Sequence, residues 1–152
     1  MNINEIFGLF GFNKDNDNSV KKLQEEVDSF KESPHFKFGM FYKMLVNGQN
    51  FQQQLMGFFT NSNLDNDFNT GLDEIGDYML YSRAYYWVQE IDFGNEDWIS
   101  AIDYYCDEEI VECIKLSIEH FEEIEEYEKC GLLKKVQDLT EKHLFLKNLK
   151  KT

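Results

Sequence analysis

Glu119-His120-Phe121-Glu122-Glu123-Ile124-Glu125-Glu126-Tyr127-Glu128 is the stretch on which the fold of this chain turns. Six of these ten residues are carboxylates, and neither Lys nor Arg occurs among them. Within the longer run from Asp107 to Lys129, Ile110, Ile114, Ile118 and Phe121 recur at helical spacing, with Val111, Ile124 and Tyr127 beside them. The spacing predicts one long helix with a buried stripe and a dense acidic outer face. At 1.5 Å per residue, ten residues cover about 15 Å, so six charges fall about 2.5 Å apart along the axis. Duplex DNA presents one charge per ~1.7 Å. Such a helix sets out carboxylates much as a nucleic acid sets out phosphates. A merely solvated helix face has the same pattern.

The charge around this stretch is polarised. The net charge is −14 over 152 residues, with 42% hydrophobic and 16% aromatic content. That composition excludes disorder and supplies one sizeable core, so a single domain over residues 1–152 is expected. Residues 1–60 carry six Lys against seven acids, a balance of −1. Residues 61–128 carry Arg83 and Lys115 against twenty acids, a balance of −18. Residues 129–152 carry seven Lys against Asp138 and Glu141, a balance of +5. An acidic field repels nucleic acid and anionic membranes and draws basic partners in. Direct binding of either is not expected.

Along the rest of the chain, apolar residues recur at three and four. Residues 1–18 read as an apolar arm and a polar loop, with Ser19 as the cap of a helix carrying Val20, Leu23, Val27 and Phe30. Pro34 ends that helix. Phe38, Phe41, Tyr42 and Leu45 mark a second helix, stopped at Asn47-Gly48. Phe51, Leu55, Phe58 and Phe59 mark a third. Asp65 or Asp67 caps a fourth through Phe68, Leu72, Ile75, Met79 and the aromatic run Tyr85-Tyr86-Trp87, with Gly71 and Gly76 weakening it or admitting a neighbour. Asp92-Phe93-Gly94-Asn95 is a turn before a short helix with Trp98, Ile99, Ile102 and Tyr105. Beyond the acidic helix, Gly131 reads as a break and 131–150 as a basic amphipathic helix. With no strand alternation, the expected class is all-α, about seven helices in an orthogonal or irregular bundle.

Chemistry-bearing constellations are weak. Cys106, Cys113 and His120 are seven residues apart, which on one helix separates neighbours by about 10.5 Å, too far to share a zinc ion. Asp15, Asp17 and Ser19, or Asp65, Asp67 and Asn69, begin calcium-loop patterns that lack the glycine or the final Glu. No phosphate loop, nucleophile elbow or zinc-protease motif occurs, and His35 follows a proline as a structural residue would. No catalytic residue, metal or cofactor is expected. Three cysteines form no disulfide framework, the first dozen residues lack the features of a secretory leader, and no apolar run spans a bilayer. A reducing cytoplasm fits. Of Tyr81, Tyr85, Tyr86, Trp87, Trp98, Tyr104 and Tyr105, most are expected in the core; two or three on the surface beside acids would make a contact surface for a basic protein.

About residues 47–109 resemble the bacterial DNA-mimic proteins, a family of small acidic all-helical domains. The resemblance lies in the order of Asn47-Gly48, then Phe58-Phe59-Thr60-Asn61-Ser62, then Gly71-Leu72-Asp73-Glu74-Ile75-Gly76, then Ile102-Asp103-Tyr104-Tyr105 followed by acids. Gln49-Asn50 stands where the family has Gly-Phe. The resemblance implies an all-α domain that occupies the basic surface of a partner, and it assigns no site residue here. From charge alone, the partner-binding residues are Asp107, Glu108, Glu109, Glu112, Glu119, Glu122, Glu123, Glu125, Glu126 and Glu128. The expected partner is a basic protein, a DNA-binding protein or a nuclease; in the latter case the chain is an immunity protein. A plain acidic interaction domain is the third alternative. The basic C-terminal helix also allows a homodimer, Lys against Glu.

Overall fold

Six α-helices hold most of the described residues, 17–61 and 66–151, in this computed structural model. They are α1 (Asp17–Glu32), α2 (Pro34–Asn61), α3 (Asn66–Val88), α4 (Glu96–Tyr105), α5 (Glu108–Glu123) and α6 (Tyr127–Lys150). The class is all-α, as the periodicity predicts. Residues 1–16, the proposed cap Asp65 and the side chains of Leu55, Phe58, Phe59, Phe68 and Leu72 lie outside the described residues, and with them the apolar arm and both calcium-loop patterns.

The chain divides into two units, Met1–Ser33 and Pro34–Thr152. In the first, α1 begins at Asp17, so Ser19 sits inside the helix instead of capping it. Its apolar row Leu23, Val27 and Phe30 is exposed, and it closes where the Ser33 N–H and Oγ both donate to the Phe30 carbonyl, at 3.0 and 2.6 Å.

In the second unit α2 is the central rod, in contact with α3, α4 and α5, while α6 packs on α5 and α4. Phe38, Phe41 and Leu45 of α2 meet Val88 of α3, Ile102 of α4, Ile110, Ile114 and Phe121 of α5, and Leu133 and Val136 of α6, all fully or almost fully buried. Each such side chain contributes about 1.5–3 kcal/mol on burial. The turn at Asp92–Asn95 forms as expected: the Asn95 N–H donates to the Asp92 carbonyl, and the Asn95 side chain accepts from the Asp97 N–H at 2.8 Å.

Two helix boundaries differ from the sequence expectation. Asn47-Gly48 does not stop a helix, so the second and third expected helices are one, the 28-residue α2. A Cβ on Gly48 would stand 2.3 Å from Leu80 Cδ1. The glycine is there to let α3 approach, and its helix-propensity cost of about 1 kcal/mol is offset by that packing.

The acidic helix, in turn, does not reach Lys129. It ends at Glu123, the chain reverses over Ile124–Glu126, and α6 starts at Tyr127 and runs straight through Gly131. The reversal is a Schellman motif: the Glu126 N–H donates to the Phe121 carbonyl at 2.8 Å and the Glu125 N–H to Glu122 at 3.1 Å. Glu125 takes the left-handed position at φ 62°, where glycine is the usual residue. Ile124 and Tyr127, expected on the buried stripe, are therefore exposed. The merger across Asn47-Gly48 leaves six helices among the described residues instead of seven.

Glycine substitutions separate these roles. Gly39→Ala places a methyl 2.5 Å from Tyr105 Oη and 3.0 Å from its Cζ, where α2 meets α4. We expect a loss of about 1–3 kcal/mol from that overpacking. Gly131→Ala meets nothing within 4 Å on an exposed helix position and should gain about 1 kcal/mol. Glu125→Gly should also gain about 1 kcal/mol by relieving the left-handed backbone. Urea unfolding of the three variants reads all three signs.

Candidate acidic interface

On α5, Ile110, Cys113, Ile114, Ser117, Ile118 and Phe121 are buried. At about 100° per residue, the direction opposite that stripe is held by Glu108, Glu112, Glu119 and Glu123, with Glu109 and Glu122 on its flanks. All six are exposed. From Glu108 to Glu123 they cover about 22 Å, or one charge per ~4 Å. That is close to the 3.4 Å per charge along a single nucleic-acid strand, and well short of the ~1.7 Å of a duplex. The earlier figure of one per ~2.5 Å assumed a straight helix through Glu128, which the reversal at Glu125 removes.

Glu125, Glu126 and Glu128 continue the acidic surface around the corner, and all three are exposed. They lie at the start of α6, where the helix dipole favours negative charge, whereas Glu122 and Glu123 end α5, where it does not. Tyr127, 65% exposed, stands among them as an aromatic contact surface. Two cations interrupt the acids. Lys115 lies exposed on the outer side of α5. Lys129 sits 3.8 Å from Glu126 and over the rings of Phe121 and Tyr85, at 5.3 and 5.5 Å from their centroids. An exposed pair of this kind adds little stability.

Asp107 is different. Its Oδ1 accepts the Ile110 N–H at 2.8 Å as the cap of α5, and its Oδ2 accepts the Tyr42 hydroxyl at 2.6 Å. The bond to the carboxylate, together with burial, pushes the Tyr42 hydroxyl up to about 12. Asp107 is thus committed inside the fold, and nine of the ten expected residues remain on the surface.

Charge counting missed a second group of acids. Asp73 and Asp77 of α3 line a cleft of about 330 Å3 with Gln49, Gln52 and Tyr81. Gln52 Nε2 donates to Asp77 at 2.5 Å and to Asp73 at 3.3 Å; Gln49 Nε2 donates to the Tyr81 hydroxyl at 3.2 Å. Burial raises the Asp77 carboxyl above its ordinary range, the Gln52 bond opposes this, and Asp73 and Glu123 add repulsion. The Glu123 repulsion links this cleft to the end of the α5 acidic row. The i, i+4 spacing of Asp73 and Asp77 carried the signal in the sequence, but nothing there brought α3 to α5.

His120 closes the back of this region. Its ring stacks on Tyr81 at 4.8 Å, and its Nε2 is buried without a partner among the described residues. Burial holds the imidazole below its ordinary value. The Cys113 thiol donates to Gln49 Oε1 at 3.3 Å and is pushed up to about 11 by burial, so it is not a thiolate at neutral pH. Of the seven aromatics singled out in the sequence, Tyr86 and Tyr104 are exposed, while Tyr81 and Trp98 are buried. Among the described residues, no three His, Cys, Asp or Glu are grouped to hold a metal ion, and no helix is long and apolar enough to cross a membrane.

No family model matches this sequence, and neither a curated protein nor a solved structure matches it.

The unpaired His120 nitrogen gives a pH prediction. Because its native pKa is lowered, the native state binds fewer protons than the unfolded chain below the ordinary imidazole value, and stability is lost as pH falls through that value. His120→Phe keeps the stack on Tyr81 and removes the unsatisfied nitrogen. It should gain about 1 kcal/mol near pH 7. Its advantage over the natural protein should widen towards about pH 5.5, as read by urea unfolding at each pH.

Proposed function

We propose that this protein is an acidic protein-binding domain that occupies the basic, nucleic-acid-binding surface of a partner and inhibits it. The observation that carries this is the row of six exposed carboxylates on α5, spaced close to the charges of one nucleic-acid strand and continued by Glu125, Glu126 and Glu128. Carboxylates take the place of phosphates opposite Lys and Arg, and Tyr127 supplies a ring on which a guanidinium can stack. The resemblance of residues 47–109 to the DNA-mimic family supports the same reading through the order of its motifs. The Asn47-Gly48 pair, however, lies within α2 and not in a turn.

The partner is a basic protein of the same cell, either a DNA-binding protein or a nuclease that this chain neutralises. No enzymatic activity, metal or cofactor belongs to the proposal, and the cytoplasm is the proposed compartment. Placement of Asp73, Glu74, Glu90, Glu96 and Asp97 on other elements favours the rival reading, a plain acidic domain whose charge keeps it soluble.

A pull-down from native lysate at low and high salt, followed by mass spectrometry, separates the two. One basic protein released by salt is expected, because each displaced counterion contributes to a steep salt dependence. Its identity distinguishes a transcription factor from a nuclease. Reversing Glu112, Glu119, Glu122 and Glu123 to Lys should abolish capture with helix content unchanged, since all four are exposed and lie outside the turn at Glu125. Capture that survives high salt, or the reversal, sinks the mimicry.

A further inference from the structure

The acidic surface leaves one part of the molecule unexplained. Between α2 and α3, well away in sequence from the α5 acids, is an open trough of about 500 Å3. That volume lies within the range of small-molecule sites. The two helices run antiparallel along it: Trp87 Nε1 donates to Met44 Sδ at 3.2 Å, Leu80 lies against Gly48, and Gln52 reaches Asp77. Leu80 forms the floor, filling the space a Cβ on Gly48 would take. Met44, Met79 and Phe51 form the walls. Phe51 is 65% and Met79 45% exposed, a large apolar surface to leave against water. Methionine walls repack easily around a ligand.

Both cations of the trough are at the same end. Lys43 is in the N-terminal half of α2 and Arg83 in the C-terminal half of α3, which the antiparallel register brings to one end, with Phe51 and Gly76 towards the other. Arg83 is the only arginine in the chain and one of two cations in residues 61–128. Neither Arg83 nor Lys43 forms an ion pair among the described residues, and both side chains are exposed. In a chain of net charge −14, two cations with no ion pair among the described residues, beside an apolar trough, are placed against the prevailing field.

We propose that this trough is a binding site for a small amphipathic monocarboxylate, a linear alkanoate of medium length lying along α2 and α3. The carboxylate pairs with the planar fork of Arg83 and the point charge of Lys43. The alkyl chain lies over Leu80 between the methionines and ends near Phe51. From Lys43 to Phe51 the trough follows about 12 Å of helix, which sets the ligand length. The negative field of the rest of the surface disfavours ligands with more than one charge. The proposal uses none of the α5 carboxylates and stands independently of the function argued above.

The test uses the full chain with octanoate as the probe and octan-1-ol as its uncharged counterpart. Methyl resonances of Met44 and Met79 are followed by NMR, with Met40 as the internal control. Octanoate should shift Met44 and Met79 saturably, at one site per chain, and leave Met40 unmoved. Arg83→Met and Lys43→Met should each weaken binding about tenfold or more, the loss of one charge-assisted pair, with helix content unchanged by circular dichroism. Octan-1-ol should bind at least as weakly as octanoate does to Arg83→Met. Three results overturn the proposal: no shift of Met44 and Met79 at millimolar octanoate; equal affinity for octanoate in the two variants and the natural protein; or shifts that spread to Met40 and rise without saturating, as a detergent effect would.

Discussion

The return of α6 over the core of the Pro34–Thr152 unit depends on the chain reversing at Glu125. Had α5 continued to Lys129, Cys130, Leu133, Val136 and Thr140 would have been carried past the core instead of back over it. The Schellman bonds from Glu126 to Phe121 and from Glu125 to Glu122 make that return possible without a glycine. A left-handed glutamate costs of the order of 1 kcal/mol. Burial of Leu133 and Val136 against Ile118 and Phe121 returns several times that. Tertiary packing therefore sets this boundary against local preference.

The same corner shapes the surface. A straight acidic rod would have concentrated six charges into two and a half turns of helix. The reversal instead divides them between the end of one helix and the beginning of the next, so that Glu125, Glu126 and Glu128 sit where the dipole of α6 favours them. It also exposes Tyr127 and brings Lys129 over Phe121 and Tyr85. The acidic face is thus less dense and more curved than a rod, with its repulsion partly relieved by backbone dipoles.

Much of the fold was legible in the sequence. The spacing of Phe38, Phe41 and Leu45, of Trp98 and Ile102, and of Ile110, Ile114, Ile118 and Phe121 identified buried faces that the structure places in one core. The misplaced boundaries share a cause. Gly48 and Gly131 both look like punctuation in the sequence, because glycine is a weak helix former. Gly48 is in fact a contact, made necessary by Leu80 thirty-two positions later on the next helix, and no local pattern carries that information. Gly131 follows a reversal already made at Glu125, where the sequence shows only another glutamate. For the acidic surface, the sequence identified which carboxylates were dense but not which were engaged. Asp107 looked like its neighbours until Tyr42, sixty-five positions earlier, was seen to bond it. Asp73 and Asp77 carry no sign of such engagement, because the effect of Glu123 on Asp77 exists only in three dimensions.

The tight corner at Glu125 also bears on how quickly the chain finds its structure. α2 and α3 are consecutive helices that pack along their length, and so are α5 and α6, the latter joined by only three residues. Each pair is a helical hairpin whose partners are neighbours in sequence, and closing so short a loop costs little entropy. The contacts that span longer stretches of chain run through α4, which packs on α2 and α6, and through the approach of α5 to α2 and α3. A topology dominated by local pairings belongs to the fast-folding end of small domains. In such an architecture the longer-range docking through α4 and α5 carries most of the loop-closure cost.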